Sequence, residues 1–213
     1  MAYPSFSNIS AATYAIPAGV GIWRFRKLNK PMKVLVFLTV IACLELGVEF
    51  SVAYWKHYNN FVSTYYEFVE FCLLCSIFFM FIDRRGSRVA LIALASVYVV
   101  IWVIKIPTFY NPAIVAGDVE VLSRIFLVTL SLITLQSILD LGTARLIDTP
   151  VFWVVAGVVL YSAGTLLVMG LSTQLMKFGR AYFLAAWDIN WALNIVTNLF
   201  YTKAFSCKQQ ASE

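Results

Sequence analysis

The sequence predicts an all-α membrane bundle, a single domain over residues 1–213 with seven transmembrane helices, its N-terminus outside and its C-terminus in the cytoplasm. Three observations carry this. Of 213 residues 61% are hydrophobic and only 13% charged, against roughly 25% charged in soluble domains, too few to cover a surface facing water. Charge-sparse runs such as 1–23 and 149–176 reach the ~20 residues that cross a bilayer as a helix. The basic residues stand between the apolar runs and mostly on one side of them, so the net charge of +5 reports orientation and not affinity for nucleic acid. Soluble enzyme, DNA-binding and disulfide-scaffold readings drop out.

The first span is expected over residues 8–23, interrupted by Pro17 and loosened by Gly19 and Gly21, hence tilted or kinked. No basic segment precedes it and no small-residue cleavage site follows, so it reads as a retained helix and not a secretory signal. A basic turn with Arg24, Arg26, Lys27, Lys30 and Lys33 leads into span two, residues 32–55. Span three is placed at 60–82 and span four at 87–104. After an irregular stretch at 107–116, marked by Asn111-Pro112, span five covers 117–139. Thr149-Pro150 supplies a cap and then proline at the first helical position, starting span six, which runs to residue 170. Span seven covers 179–205, with a short tail after it.

Loop charges set the orientation. Arg24, Arg26, Lys27, Lys30, Lys33, Arg84, Arg85, Arg88, Arg145, Lys203 and Lys208 lie on one side, and only Lys56, Lys105, Lys177 and Arg180 on the other. The positive-inside rule makes the first side cytoplasmic.

Ionisable residues within apolar spans are costly unless paired or hydrated, so they face a bundle interior or a wet cavity. Glu45 and Glu49 in span two, Glu67 and Glu70 in span three, Arg124 in span five and Asp188 in span seven are such residues. The two glutamate pairs are spaced four and three apart, which puts each pair on one helix face. Glu49, Glu67, Arg124 and Asp188 each lie about five to ten residues from the exterior helix ends, roughly 8 to 15 Å at about 1.5 Å per residue. Two readings stay open: an outward acidic pocket closed by Arg124 and rimmed by Tyr54, Trp55, Tyr65, Tyr66, Trp187 and Trp191, or structural ion pairs with interfacial aromatic belts. The pocket reading expects Glu49 and Glu67 to share one site, because a short turn around His57 makes their helices antiparallel neighbours. In span seven Asn190, Asn194 and Asn198, with Thr197 and Tyr201 beside them, form a polar stripe suited to hydrogen bonds across helices. Asp188 is about 200° round from Asn190 and is expected to serve another neighbour. Gly157 and Gly164 make a small-residue face for close packing.

Enzyme and cofactor signatures fail in turn. His57 is the single histidine, so neither a multi-histidine zinc site nor haem ligation by paired histidines is available. Lys203 lies at a helix end, not deep in the last span as a retinal protein needs. Cys72 and Cys75 have redox-like spacing among phenylalanines and read as packed thiols, and Cys43 and Cys207 as free thiols too. The carboxylates could take a hard divalent cation, but no recognised motif marks a metal site. No metal or cofactor is expected.

The order of features resembles an uncharacterised seven-span family of Bacteroidota, similar to the membrane sensor segments of some histidine kinases. The resemblance rests on the Pro17 helix followed by Arg24-Phe-Arg-Lys-Leu-Asn-Lys-Pro31, the glutamates of span two, and Asn59-Asn60 followed by Tyr66-Glu67-Phe-Val-Glu70-Phe71. It continues with Pro150-Val-Phe-Trp153, Leu160-Tyr-Ser-Ala-Gly164, Trp187-Asp-Ile-Asn190, Asn194, Asn198 and Ala204-Phe-Ser-Cys207. It implies this fold and a bacterial inner (cytoplasmic) membrane, and no established activity. The chain departs from the kinase versions by ending at Glu213 without a catalytic module, so signalling is expected to need a separate cytoplasmic or membrane protein partner.

The expectation is therefore a ligand-sensing or ligand-binding membrane protein, taking a small molecule or cation and contacting membrane lipids. A proton- or cation-coupled carrier and an accessory subunit of a membrane complex are the alternatives. An intramembrane hydrolase lacks an evident nucleophile.

Overall fold

The computed structural model describes residues 4–56, 60–105, 117–139 and 146–207. His57 and its turn, the 107–116 stretch, Arg145 and the tail from Lys208 lie outside the described residues. Those described form α1 (Pro4–Ala12), α2 (Ala15–Arg24), α3 (Lys30–Lys56), α4 (Asn60–Phe81), α5 (Arg85–Lys105), α6 (Gly117–Leu139), α7 (Pro150–Phe178) and α8 (Arg180–Ser206). One-turn 3₁₀ segments, Phe25–Lys27 and Leu146–Asp148, lead into α3 and α7.

Five helices, α3 to α7, are long and apolar enough to cross a bilayer, which marks a multi-pass membrane protein. Of the seven expected spans, the first and the last are not among these five. The first span is divided into α1 and α2, of nine and ten residues. The break falls at Thr13 and Tyr14 because Pro17 has no N–H to offer the Thr13 carbonyl four residues earlier, and its ring crowds that carbonyl. The Ile16 amide bonds Thr13 O at 3.1 Å instead, and the Thr13 hydroxyl turns back to Ser10 O at 2.6 Å. α8 has ample length, 27 residues, but Arg180, Asp188, Lys203 and the three stripe asparagines dilute its apolar character.

The break does not send the first span away from its neighbour. Ser10 meets Asn194, Thr13 meets Asn198, and Gly21 faces Phe205. Sequence separations of 184 and 185 in the two hydrogen bonds mean that both halves follow α8 in parallel and in one register. α7 and α8 are joined by Gly179 alone, at φ 126°, a left-handed conformation that glycine adopts without a Cβ clash. They return antiparallel at close range: a Cβ on Gly164 would overlap Leu193, and one on Gly157 would meet Tyr201 at 3.2 Å.

The helices close into a ring. α2 packs on α3, α3 on α4, α4 on α6, α6 on α7 and α7 on α8, and α8 returns to α1 and α2. α5 lies outside, against α4 and α6, through Phe68 stacked on Trp102 at 4.1 Å and Phe71 on Tyr98 at 4.1 Å. It is the least buried of the five apolar helices. Large apolar side chains such as Phe37, Leu44, Ile92, Val100, Leu132 and Leu167 face outward, while Ser131, Thr134, Ser162 and Asn198 are buried. That distribution suits a hydrocarbon surround, where lipid covers the apolar face. The buried Thr134 hydroxyl satisfies its own helix by donating to Leu130 O at 2.7 Å.

The interior differs along its length. Toward the basic end, Met32, Leu35, Phe78, Ile82, Val154 and Phe205 are wholly or almost wholly buried in one apolar core. Toward the opposite end the interior is polar and contains cavities.

Candidate functional site

The centre of the polar half is Arg124 on α6, whose side chain is 4% exposed. One terminal nitrogen donates to Glu70 Oε2 at 2.9 Å, and the other lies 3.9 Å from Glu67 Oε1. The guanidinium carbon stands 5.0 Å from the centre of the Tyr161 ring on α7, a cation–π distance. Glu120, one turn before Arg124 on the same face, stands within electrostatic reach of Glu67. Three helices of the ring, α4, α6 and α7, are tied at this point. The local spacing explains it: Glu67 and Glu70 lie on one face of α4, as do Glu120 and Arg124 on α6.

Two cavities lie beside this cluster. The inner one, about 20 Å³, is of the order of one or two water positions. Its walls include Glu70, Tyr66, Tyr14, Tyr161, Asn198 and Tyr201. The outer one has a volume of about 310 Å³ and lies among α1, α3, α7 and α8, with Glu49, Asn8, Asn190 and Trp191 in its walls. Tyr14, Tyr161 and Asn194 line both, so the two adjoin at these side chains. Glu45 stands one turn from Glu49, within electrostatic reach of Glu49 and Glu70.

The expected single site shared by Glu49 and Glu67 is corrected to two compartments. Glu49 faces the outer cavity, whereas Glu67 turns to Arg124 and Glu120. Equal depth did not ensure a common face, because helix rotation directs α4 toward α6 at Glu67 and toward the inner cavity at Glu70. Asp188 is also not brought to Arg124. Its Oδ1 is buried without a hydrogen-bond partner among the described residues, away from the stripe side of α8. Of the proposed rim aromatics, Tyr54 and Trp55 are largely exposed, Tyr65 packs edge-on against Trp102, Trp187 packs on Phe183, and Tyr66 and Trp191 line the cavities.

The asparagine stripe holds the first span and α7 against α8. Asn194 donates to Ser10 Oγ at 2.9 Å, Asn198 to Thr13 Oγ1 at 2.9 Å, and Asn190 accepts from Thr165 Oγ1 at 2.9 Å. Ser10 in turn donates to the Trp191 carbonyl at 3.1 Å.

Sequence reasoning missed Glu120, Tyr14 and Tyr161. Glu120 was detectable by its four-residue spacing from Arg124. Tyr14 carries no signal beyond its place at the break, and Tyr161 none beyond following Leu160 in an apolar run. Among the described residues no group of three or more metal-ligating side chains comes together.

Fold and site together define a multi-pass helical membrane protein with a buried arginine–carboxylate cluster behind a polar cavity. Comparison with protein-family models, with curated proteins and with solved structures finds no match for this chain.

Proposed function

We propose that the chain is a seven-span protein of the bacterial cytoplasmic membrane, N-terminus outside, that binds a small solute in a cavity open to the exterior. The carrying observation is the outer cavity of about 310 Å³, walled by Glu49, Asn190 and Trp191 and continued inward through Tyr14 and Tyr161. Its volume falls in the range of small-molecule sites. The packed apolar core at the basic end supports binding from one side over passage through the bundle. The parallel, in-register run of the first span beside α8 supports counting both as spans, and an odd number of spans agrees with the one-sided distribution of basic residues. Resemblance to membrane sensor segments supports a sensing role, with a separate partner carrying the signal.

Retention of solute tests this reading. Protein purified in mild detergent should carry a small molecule detectable by mass spectrometry. Ala11 lines the cavity, so Ala11→Phe, which fills it, should lose that molecule at nearly unchanged folded yield. A wild type and variant with the same bound content would refute the reading. A coupled carrier draws support from the carboxylates continuing inward to Glu70, and solute-driven proton uptake into liposomes would favour it.

Orientation has its own expected result. In a background without Cys43, Cys72, Cys75 and Cys207, a membrane-impermeant thiol reagent added to intact cells should label Lys177→Cys and spare Asn29→Cys. Labelling of Asn29→Cys would reverse the topology.

A further inference from the structure

The densest run of like charge in the chain lies away from both cavities, at the elbow that joins α2 to α3. Arg24, Arg26, Lys27, Lys30 and Lys33 follow one another there with no acid between them, and Arg26, Lys27 and Lys30 are exposed. Lys203 near the end of α8 and Asp148 before α7 stand close by, since both act electrostatically, with Arg24, on the Cys207 thiol. One ion pair with Asp148 leaves most of this positive charge in place. Asp83, at the same end of the bundle, pairs with Arg88 at 3.7 Å. Segments 140–145 and 208–213 carry two acids and two bases, so they do not change the excess wherever they lie.

These cations do not serve the helix they begin. Lys30 and Lys33 occupy the start of α3, whose first turn holds no acid, although the positive end of a helix dipole favours anions. Asn29 supplies the cap instead, its Oδ1 accepting from the Met32 amide at 3.2 Å. Trp23, 84% exposed beside Arg24, sets the depth, because outward tryptophans mark the headgroup level of a bilayer. From that level the surface turns apolar without a break. The Lys33 ammonium lies 5.5 Å from the centre of the Phe25 ring, and Phe25 meets Phe37 edge-on at 5.9 Å. Phe37 and Leu44 are exposed and, by their spacing, share the Lys33 face of α3. A cationic head thus runs into an outward apolar stripe, which matches the order of phosphate and acyl chain in a phospholipid. Free phosphate would use the charges and leave the stripe, and a lipid without net charge would use the stripe and leave the charges.

Independently of the solute site, we propose that the elbow between α2 and α3 binds one anionic phospholipid of the leaflet at the basic end, its phosphate held by Lys30 and Lys33 and an acyl chain lying on Phe37 and Leu44.

The test is native mass spectrometry of the full chain, stripped of lipid in detergent and titrated with dioleoylphosphatidylglycerol, dioleoylphosphatidylcholine or inorganic phosphate. The phosphatidylglycerol should give a saturable first adduct, at least about tenfold tighter than the phosphatidylcholine, whose own ammonium cancels its phosphate charge. Inorganic phosphate at equal concentration should not displace it. Lys30→Gln with Lys33→Gln should weaken the adduct about 25-fold, a factor of about five for each cation near a phosphate surface. Arg84→Gln with Arg85→Gln removes as much charge from the turn between α4 and α5 at the same end, and should leave the adduct unchanged. If the lysine pair fails to fold, Lys30→Gln alone, at an exposed side chain, should still weaken the adduct about fivefold. Equal binding of the phosphatidylcholine, displacement by inorganic phosphate, no loss from the lysine variants, or an equal loss from the arginine pair overturns the proposal. None of these outcomes bears on solute retention by the outer cavity.

Discussion

Replacing Arg124 by leucine should lower the thermal unfolding midpoint in detergent by on the order of 10 °C, the shift expected when one partner of a buried ion pair is lost at ~3–5 kcal/mol in a chain of this length. The cost comes from the groups left behind. Glu70 and Glu67, with side chains 12% and 15% exposed, would lose their cation, and Tyr161 its guanidinium contact. Arg88 provides the comparison. It also bonds a backbone carbonyl, Ile82 O, pairs with Asp83 at 3.7 Å and lies over Phe79, but it is 39% exposed at a helix end. Arg88→Leu should cost no more than ~1 kcal/mol. Adding Glu67→Gln and Glu70→Gln to Arg124→Leu should recover most of the loss, since neutral side chains no longer need the arginine. Equal, small effects of Arg124→Leu and Arg88→Leu would show that the guanidinium escapes to the membrane interface.

The second large effect is steric. Gly164→Val should destabilise the fold by about 1–3 kcal/mol, the usual cost of overpacking, because its new side chain enters the space of Leu193 on α8. Gly170 is on the same helix, but a Cβ there would meet nothing within 4 Å, so this position should accept valine with no loss. Leu193→Ala should rescue Gly164→Val in part by removing the clashing methyl groups. A thermal-shift series on these three variants checks the prediction. Comparable losses at Gly164 and Gly170 would mean that the α7–α8 contact is looser than its geometry indicates. Since Thr165 bonds Asn190 one residue on from Gly164, a displaced α8 should also weaken solute retention by the outer cavity.

Helix positions were legible where composition alone decides them. α3 to α6 fall within a few residues of the spans read from apolar runs, and Thr149-Pro150 does begin α7. The extension of α7 to Phe178 was missed because Leu171 to Lys177 becomes more polar, yet nothing breaks the helix before Gly179. The first span was recognised as interrupted, but its placement beside α8 was not, because local sequence holds no information about which distant helix receives Ser10 and Thr13. The asparagine stripe was legible as inter-helix glue from its four-residue spacing.

The division between sequence and tertiary structure follows the geometry of helices. Depth along a helix is one-dimensional and rises about 1.5 Å per residue, so the sequence by itself sets the position of each of Glu49, Glu67, Arg124 and Asp188 along its own helix. It also determined that Arg124, a permanent charge in an apolar run, needs a carboxylate partner. Which carboxylate it takes depends on helix rotation and on which helices are neighbours. The closed ring brings α4, α6 and α7 together, so Glu70, Glu67 and Tyr161 surround Arg124 while Glu49 faces α1 and α8 across a separate cavity. Contacts between residues 54 positions apart, as in Arg124–Glu70, or 184 apart, as in Asn194–Ser10, are fixed only when the whole bundle packs, because each helix must satisfy its polar face against every neighbour at once.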